Sequence, residues 1–131
     1  MIQSSAKVTQ KGDVISTATF RPRDWYPADA PSTVLAALVK AKVYPDPYFG
    51  MALRSLPGAT YPIGKNFSNL PMPGDSPFRS SWWYRTEFAL PASPPGRAFW
   101  LRFDGINYRA NVWLNGERVA GSDEVAGAFR R

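Results

Sequence analysis

The side chains able to do chemistry in this chain are carboxylates, phenols and indoles, because it has no cysteine and no histidine. Ser–His and Cys–His nucleophile pairs are therefore excluded within it, and zinc lacks its customary ligands. The acid–base candidates are the three glutamates Glu87, Glu117 and Glu124. Two carboxyl groups do acid–base and nucleophilic work only when they share a pocket. Glu87 falls between Thr86 and Phe88 in an alternating run, Glu117 directly follows a turn, and Glu124 lies in another turn. All three read as solvated surface positions.

Three other constellations combine polar groups with aromatic faces. Asp46-Pro47-Tyr48-Phe49-Gly50 sets one carboxylate and two aromatic rings on a loop stiffened by proline and bent at glycine. Asp46 and Tyr48 suit hydrogen bonds to a polyhydroxylated ligand, and a purely structural turn is the equal alternative. Asp104, Asn107 and Tyr108 form a second group within a strand-to-strand connection, where Asp and Asn also serve as turn formers through their own backbone bonds. Trp82 and Trp83 are adjacent, so on a strand they point to opposite faces. They read first as core anchors, since large aromatics dominate core energetics, with a stacking platform for a sugar ring as the alternative.

These residues need a sheet to hold them. Trp82, Tyr84, Thr86, Phe88 and Leu90 alternate with Trp83, Arg85 and Glu87. Phe99, Leu101 and Phe103 alternate with Trp100 and Arg102, and Ala110, Val112 and Leu114 with Asn111 and Trp113. Asn115-Gly116 then reverses the chain, as a type I′ turn requires positive φ at both central positions. Three or four antiparallel strands are thus expected within forty residues. Arg85 is expected to pair with Glu87 or Asp104. Val14–Phe20, β-branched and rich in threonine, predicts an earlier strand. Ser32 is the expected N-cap of a helix over 33–40, with Val34, Leu35, Leu38 and Val39 on one apolar face. Residues 57–81 carry many prolines and little periodicity, 121–124 read as a second turn, and 125–131 as the start of another strand. Residues 1–13 are expected to be loosely ordered, leaving one domain over 14–131.

At 131 residues the chain can bury a sizeable core. Its formal charge of +6 is scattered from Lys7 to Arg131 rather than clustered, so the pattern speaks against nucleic acid. No apolar run approaches the roughly 20 residues of a membrane helix. Met1–Ser5 lacks the basic and apolar regions of a secretory signal, which fits either a cytoplasmic protein or a mature segment of a secreted or periplasmic one.

Several stretches, in order, resemble the N-terminal domain of glycoside hydrolase family 2 enzymes. They are 31–38 (PSTVLAAL), 43–50 (VYPDPYFG), Trp82-Trp83-Tyr84-Arg85 with 88–91, 103–110 (FDGINYRA), 112–116 (VWLNG) and 125–129 (VAGAF). The wording is most similar to the exo-β-D-glucosaminidase and β-mannosidase-like branch. The resemblance implies an all-β jelly-roll sandwich of the galactose-binding type with one short helix. It further implies an immunoglobulin-like domain and a barrel downstream, the barrel carrying two catalytic glutamates.

Retaining glycoside hydrolysis needs carboxyl groups roughly 5–5.5 Å apart, and this chain supplies no such pair. The expected role is an accessory domain that shapes the rim of the active site and buttresses the barrel, with no cofactor. Its substrate contact would be a β-linked glucosaminide or mannoside reached through the parent enzyme. Asp46, Tyr48, Trp82, Trp83, Asp104, Asn107 and Tyr108 are the contact candidates. A sheet sequence stopping at Phe129-Arg130-Arg131 reads as truncated, with an open edge available for self-association. A stand-alone carbohydrate-binding module and an assembly module are the alternatives.

Overall fold

A computed structural model describes residues 1–58, 64, 71–92 and 94–126. The chain divides into two compact units, Met1–Thr9 with Pro22–Arg85, and Gln10–Arg21 with Thr86–Arg131.

The first unit is built on an antiparallel pair, β1 (Ile2–Ser4) and β2 (Trp82–Tyr84). Ile2 faces Tyr84, Gln3 faces Trp83 and Ser4 faces Trp82. The pairing continues one residue outward, where the Met1 ammonium donates to the Arg85 carbonyl at 2.8 Å and the Arg85 N–H donates back to the Met1 carbonyl at 2.9 Å. On its other edge Ile2 exchanges both backbone bonds with Tyr26, at 2.8 and 2.9 Å. All three residues of β1 are buried, so Ile2–Ser4 is the inner strand of this unit and not the loose start expected over 1–13. Burying Gln3 and Ser4 requires partners for their polar atoms. The Gln3 side chain supplies them, donating to the Asp24 carbonyl and accepting from the Ser4 N–H.

Helix α2 (Val34–Lys40) covers this unit. Its N-cap is Thr33, whose hydroxyl accepts from the Ala36 N–H at 3.1 Å. The cap thus lies one residue beyond the expected Ser32, whose hydroxyl bonds the Thr33 carbonyl. Ala37 and Leu38 are buried, as are Ile2, Trp25 and Leu56, the apolar core residues of this unit, and Lys40 in the last turn pairs with Asp29.

In the second unit β3 (Val112–Leu114) and β4 (Glu117–Ala120) form the expected hairpin. Asn115 (φ 50°) and Gly116 (φ 96°) occupy the positive-φ turn positions, and a register shift separates Val112 from Trp113. The Gly116 N–H donates to the Ser16 hydroxyl at 2.8 Å. The expected strand over Val14–Phe20 is replaced by a one-turn helix, α1 (Gly12–Ile15), followed by turns. Local acceptors win over a sheet ladder there. The Thr17 N–H and hydroxyl both bond the Val14 carbonyl, and the Phe20 N–H bonds the Thr17 carbonyl, the competition threonine side chains commonly offer. Gly12 is obligatory for this packing, since a Cβ built on it would fall inside the Trp113 indole.

The long alternating runs are shorter than expected. β2 ends at Tyr84 and no strand forms over 97–104, where Phe99, Trp100, Leu101 and Phe103 are exposed. Alternation supplies a face for a sheet, but a strand also requires a neighbour for its backbone donors and acceptors. Gly121–Glu124 makes the expected second turn, closed by the Glu124 N–H on the Gly121 carbonyl at 3.0 Å. Of the run expected to begin a strand at 125, Ala126 bridges Arg109, and 127–131 lies outside the described residues. The strand pairs fit the all-β expectation, but where one short helix was expected the described residues hold two α-helices and two 3-10 turns.

Candidate functional site

Among the described residues of the first unit one concave feature is an open cleft of about 460 Å³, within the size range of small-ligand sites. Four stretches build it. The turn after β1 brings Ser4 and Lys7, and the edge partner of β1 brings Tyr26. The end of α2 and the segment after it bring Leu38 and Tyr44, and the approach to β2 brings 74–80 and Trp82. Turn chemistry fixes that approach. The Ser76 N–H bonds the Pro73 carbonyl and the Arg79 N–H bonds the Ser76 carbonyl, each at 3.1 Å, while Ser76 itself is buried.

The wall carries one hydrogen-bonded chain. Trp82 donates its indole N–H to the Pro77 carbonyl at 2.9 Å, and the Ser80 hydroxyl donates to the same oxygen at 3.1 Å. The Ser4 and Ser80 hydroxyls are 3.1 Å apart. Tyr44 tilts against Phe78, with ring centroids 6.1 Å apart at 47°. Burial, followed by the neighbouring Tyr26, holds the Tyr44 phenol above its ordinary value, so it stays a hydrogen-bond donor at neutral pH. Lys7 and Arg79 lie at the rim with Asp75, giving two cations against one carboxylate.

Of the residues expected to contact a ligand, Trp82 alone lines this cleft. Trp83 pairs with Gln3 on the neighbouring register position and is half-buried. Asp46 closes an Asx turn, accepting the Tyr48 N–H on Oδ1 at 2.9 Å, with the Phe49 N–H on its carbonyl at 3.1 Å. That turn projects Tyr48, 96% exposed, and Phe49, 82% exposed. In the second unit Asp104 pairs with Arg102 at 2.8 Å. Asn107 and Tyr108 are exposed and joined by a cis peptide. Lys7, Tyr26, Tyr44, Asp75 and Arg79 escaped the sequence reading because no local motif unites them.

None of the three glutamates sits in the cleft. All are exposed, and Glu124 is committed to the Gly121 N–H at 2.7 Å.

Residues 75–131 match the family model described as glycosyl hydrolase 2 galactose-binding domain-like. The chain resembles the N-terminal galactose-binding-like domain of glycoside hydrolase family 2 enzymes. An exo-β-D-glucosaminidase of Streptomyces avermitilis is 35% identical over 130 residues, covering 99% of this chain and 12% of the relative. A β-mannosidase B of Aspergillus terreus is 32% identical over 107 residues, 81% of this chain and 11% of the relative. The crystal structure of the Amycolatopsis orientalis exo-chitosanase CsxA superposes with a TM-score of 0.70 at 28% identity, over 98% of this chain and 13% of that one. These relatives bear out the resemblance to the glucosaminidase and mannosidase branch. The chain spans about an eighth of the length of these relatives.

Proposed function

We propose that this chain is a non-catalytic accessory domain of a retaining glycoside hydrolase acting on β-linked glucosaminides or mannosides. The observation that carries the reading is the pattern of coverage: one relative aligns over 99% of the chain, yet the chain accounts for 12% of that relative. The carboxylates agree with it. Retaining hydrolysis needs an acid/base and a nucleophile about 5–5.5 Å apart across the scissile bond, and Glu87, Glu117 and Glu124 are exposed and scattered over strand and turn positions. In this reading the two strand pairs belong to a jelly-roll sandwich. The acid/base and nucleophile lie on a barrel in the parent enzyme, together with an immunoglobulin-like domain.

The domain's part is positional. The Asx turn at Asp46 presents Tyr48 on a stiff, proline-flanked support, as a group that meets a terminal sugar at the rim of a barrel pocket requires. A phenol fixed in this way contributes orientation without taking part in proton transfer. Asp104, Asn107 and Tyr108 are the second rim candidates. The test is direct. The pure 131-residue protein is expected to release no nitrophenol from nitrophenyl β-glucosaminide or β-mannoside, and turnover above the uncatalysed rate overturns the assignment. In a parent enzyme carrying this domain, Tyr48→Ala is expected to raise KM for oligosaccharides more than it lowers kcat.

A further inference from the structure

The cleft between β1, the end of α2 and the approach to β2 takes a particular class of ligand, and its hydrogen-bond inventory says which. The Pro77 carbonyl has two lone pairs, filled by the Trp82 indole N–H and the Ser80 hydroxyl. A serine hydroxyl has one proton, and that of Ser80 is spent on Pro77. In the 3.1 Å contact between Ser4 and Ser80, Ser4 is then the donor. The Ser4 oxygen in turn accepts the Ala6 N–H at 3.3 Å. The Ser4, Ser80 and Trp82 donors of this wall are thus consumed internally, and Trp82 offers an incoming molecule only its ring. The donors left are the Ser76 hydroxyl, which accepts the Phe78 N–H, the phenols of Tyr26 and Tyr44, and the two cations: the Lys7 ammonium and those N–H groups of Arg79 other than the one on the Met72 carbonyl. A ligand that satisfies them is rich in acceptors and negatively charged, with a C–H face to lie on an aromatic ring.

We propose that this cleft is a binding site for an acidic saccharide, a pyranose carrying a carboxylate. Its carboxylate meets Lys7 and Arg79 at the rim and its ring packs against Trp82. A cationic amino sugar is the wrong partner, because two cations outnumber Asp75 and would meet its ammonium. The site is therefore distinct in charge preference from a pocket that holds glucosamine. The proposal does not rest on the hydrolase reading, because it concerns binding by this chain alone and requires no turnover.

The 131-residue protein is titrated calorimetrically with galacturonic acid oligomers, with glucosamine oligomers and with neutral glucose oligomers of equal length. The Trp82 indole N–H resonance is followed by NMR in parallel. Uronate oligomers are expected to bind and shift that resonance, while the neutral and cationic series bind at least tenfold more weakly. Lys7→Gln and Arg79→Gln, both at exposed positions, should each weaken uronate binding about tenfold, the size of one charge-assisted hydrogen bond. Arg97→Gln, which lies outside the cleft, should leave it unchanged. The proposal is overturned if uronates do not bind, if glucosamine oligomers bind as tightly, or if Arg97→Gln weakens binding as much as Arg79→Gln. Displacement by inorganic phosphate at equal concentration also overturns it, since that marks a general anion site.

Discussion

Tyr44, Tyr84 and the Met1 ammonium are groups of the first unit whose protonation the fold changes in ways that solution measurements can follow. Burial raises Tyr44, and Tyr84 likewise, above the ordinary tyrosine value of 10.0. In a spectrophotometric titration two of the six tyrosines are expected to ionise late. The sign follows from linkage: the folded state holds these phenol protons more tightly than the unfolded chain does. Their contribution to stability is complete below pH 10 and lost as pH rises through the folded values. The Met1 ammonium shifts the other way, lowered from 8.0 mainly by burial and next by Arg85. The unfolded chain then binds the extra proton, so stability should rise as pH climbs from the folded value towards 8.0 and level off above it. With no histidine or cysteine in the chain, no side chain has an ordinary value near neutrality. Urea midpoints measured between pH 6 and 8.5 should therefore rise modestly. A flat profile, or one unchanged by N-terminal acetylation, contradicts this assignment.

At the scale of elements, each helix and turn rests on a specific atom. Thr33→Ala removes the oxygen that caps α2 and should cost about 1 kcal/mol, whereas Ser32→Ala should cost little, as read from denaturant midpoints. Gly116→Ala places a side chain at φ 96° with its Cβ only 3.3 Å from the Asp13 carbonyl oxygen. A loss of about 1–3 kcal/mol is expected from the backbone strain alone. The elements legible in the sequence are those specified by neighbours. Asn115-Gly116 encodes its turn in two residues, and α2 needs only its own apolar periodicity and a hydroxyl just before it. β1 was illegible because Ile2-Gln3-Ser4 shows no alternation and finds its partner at 82–84. Val14–Phe20 carries strand composition, yet its threonine found acceptors three residues back. The cleft was hidden for the same reason as β1: Lys7, Tyr26, Tyr44 and Arg79 are brought together only by the fold, and Trp82 alone among them stood out beforehand.

For the molecule as a whole, aromatic residues divide sharply between interior and surface. Trp25 is 8% exposed and Trp100 is 93% exposed. Acrylamide should therefore quench Trp100 far more efficiently than Trp25, and Trp100→Phe should remove the most quenchable part of the emission while leaving the thermal midpoint within about 1 °C, as expected of a surface substitution away from packing contacts. Equal quenching in the two proteins contradicts that placement.

The pairing of Ile2–Ser4 with Trp82–Tyr84 also sets an order of events during synthesis. Ile2–Ser4 cannot be zipped to its long-term neighbour until residue 84 has cleared the exit tunnel. At roughly 5–20 residues per second, that delay is on the order of 4–16 seconds. The hairpin of β3 and β4, by contrast, can close within microseconds once it is out. Throughout the wait Ile2, the most buried apolar side chain among the described residues, is open to other hydrophobic surfaces. Ile2–Ser4 is thus sheltered only when its partner, made long after it, arrives.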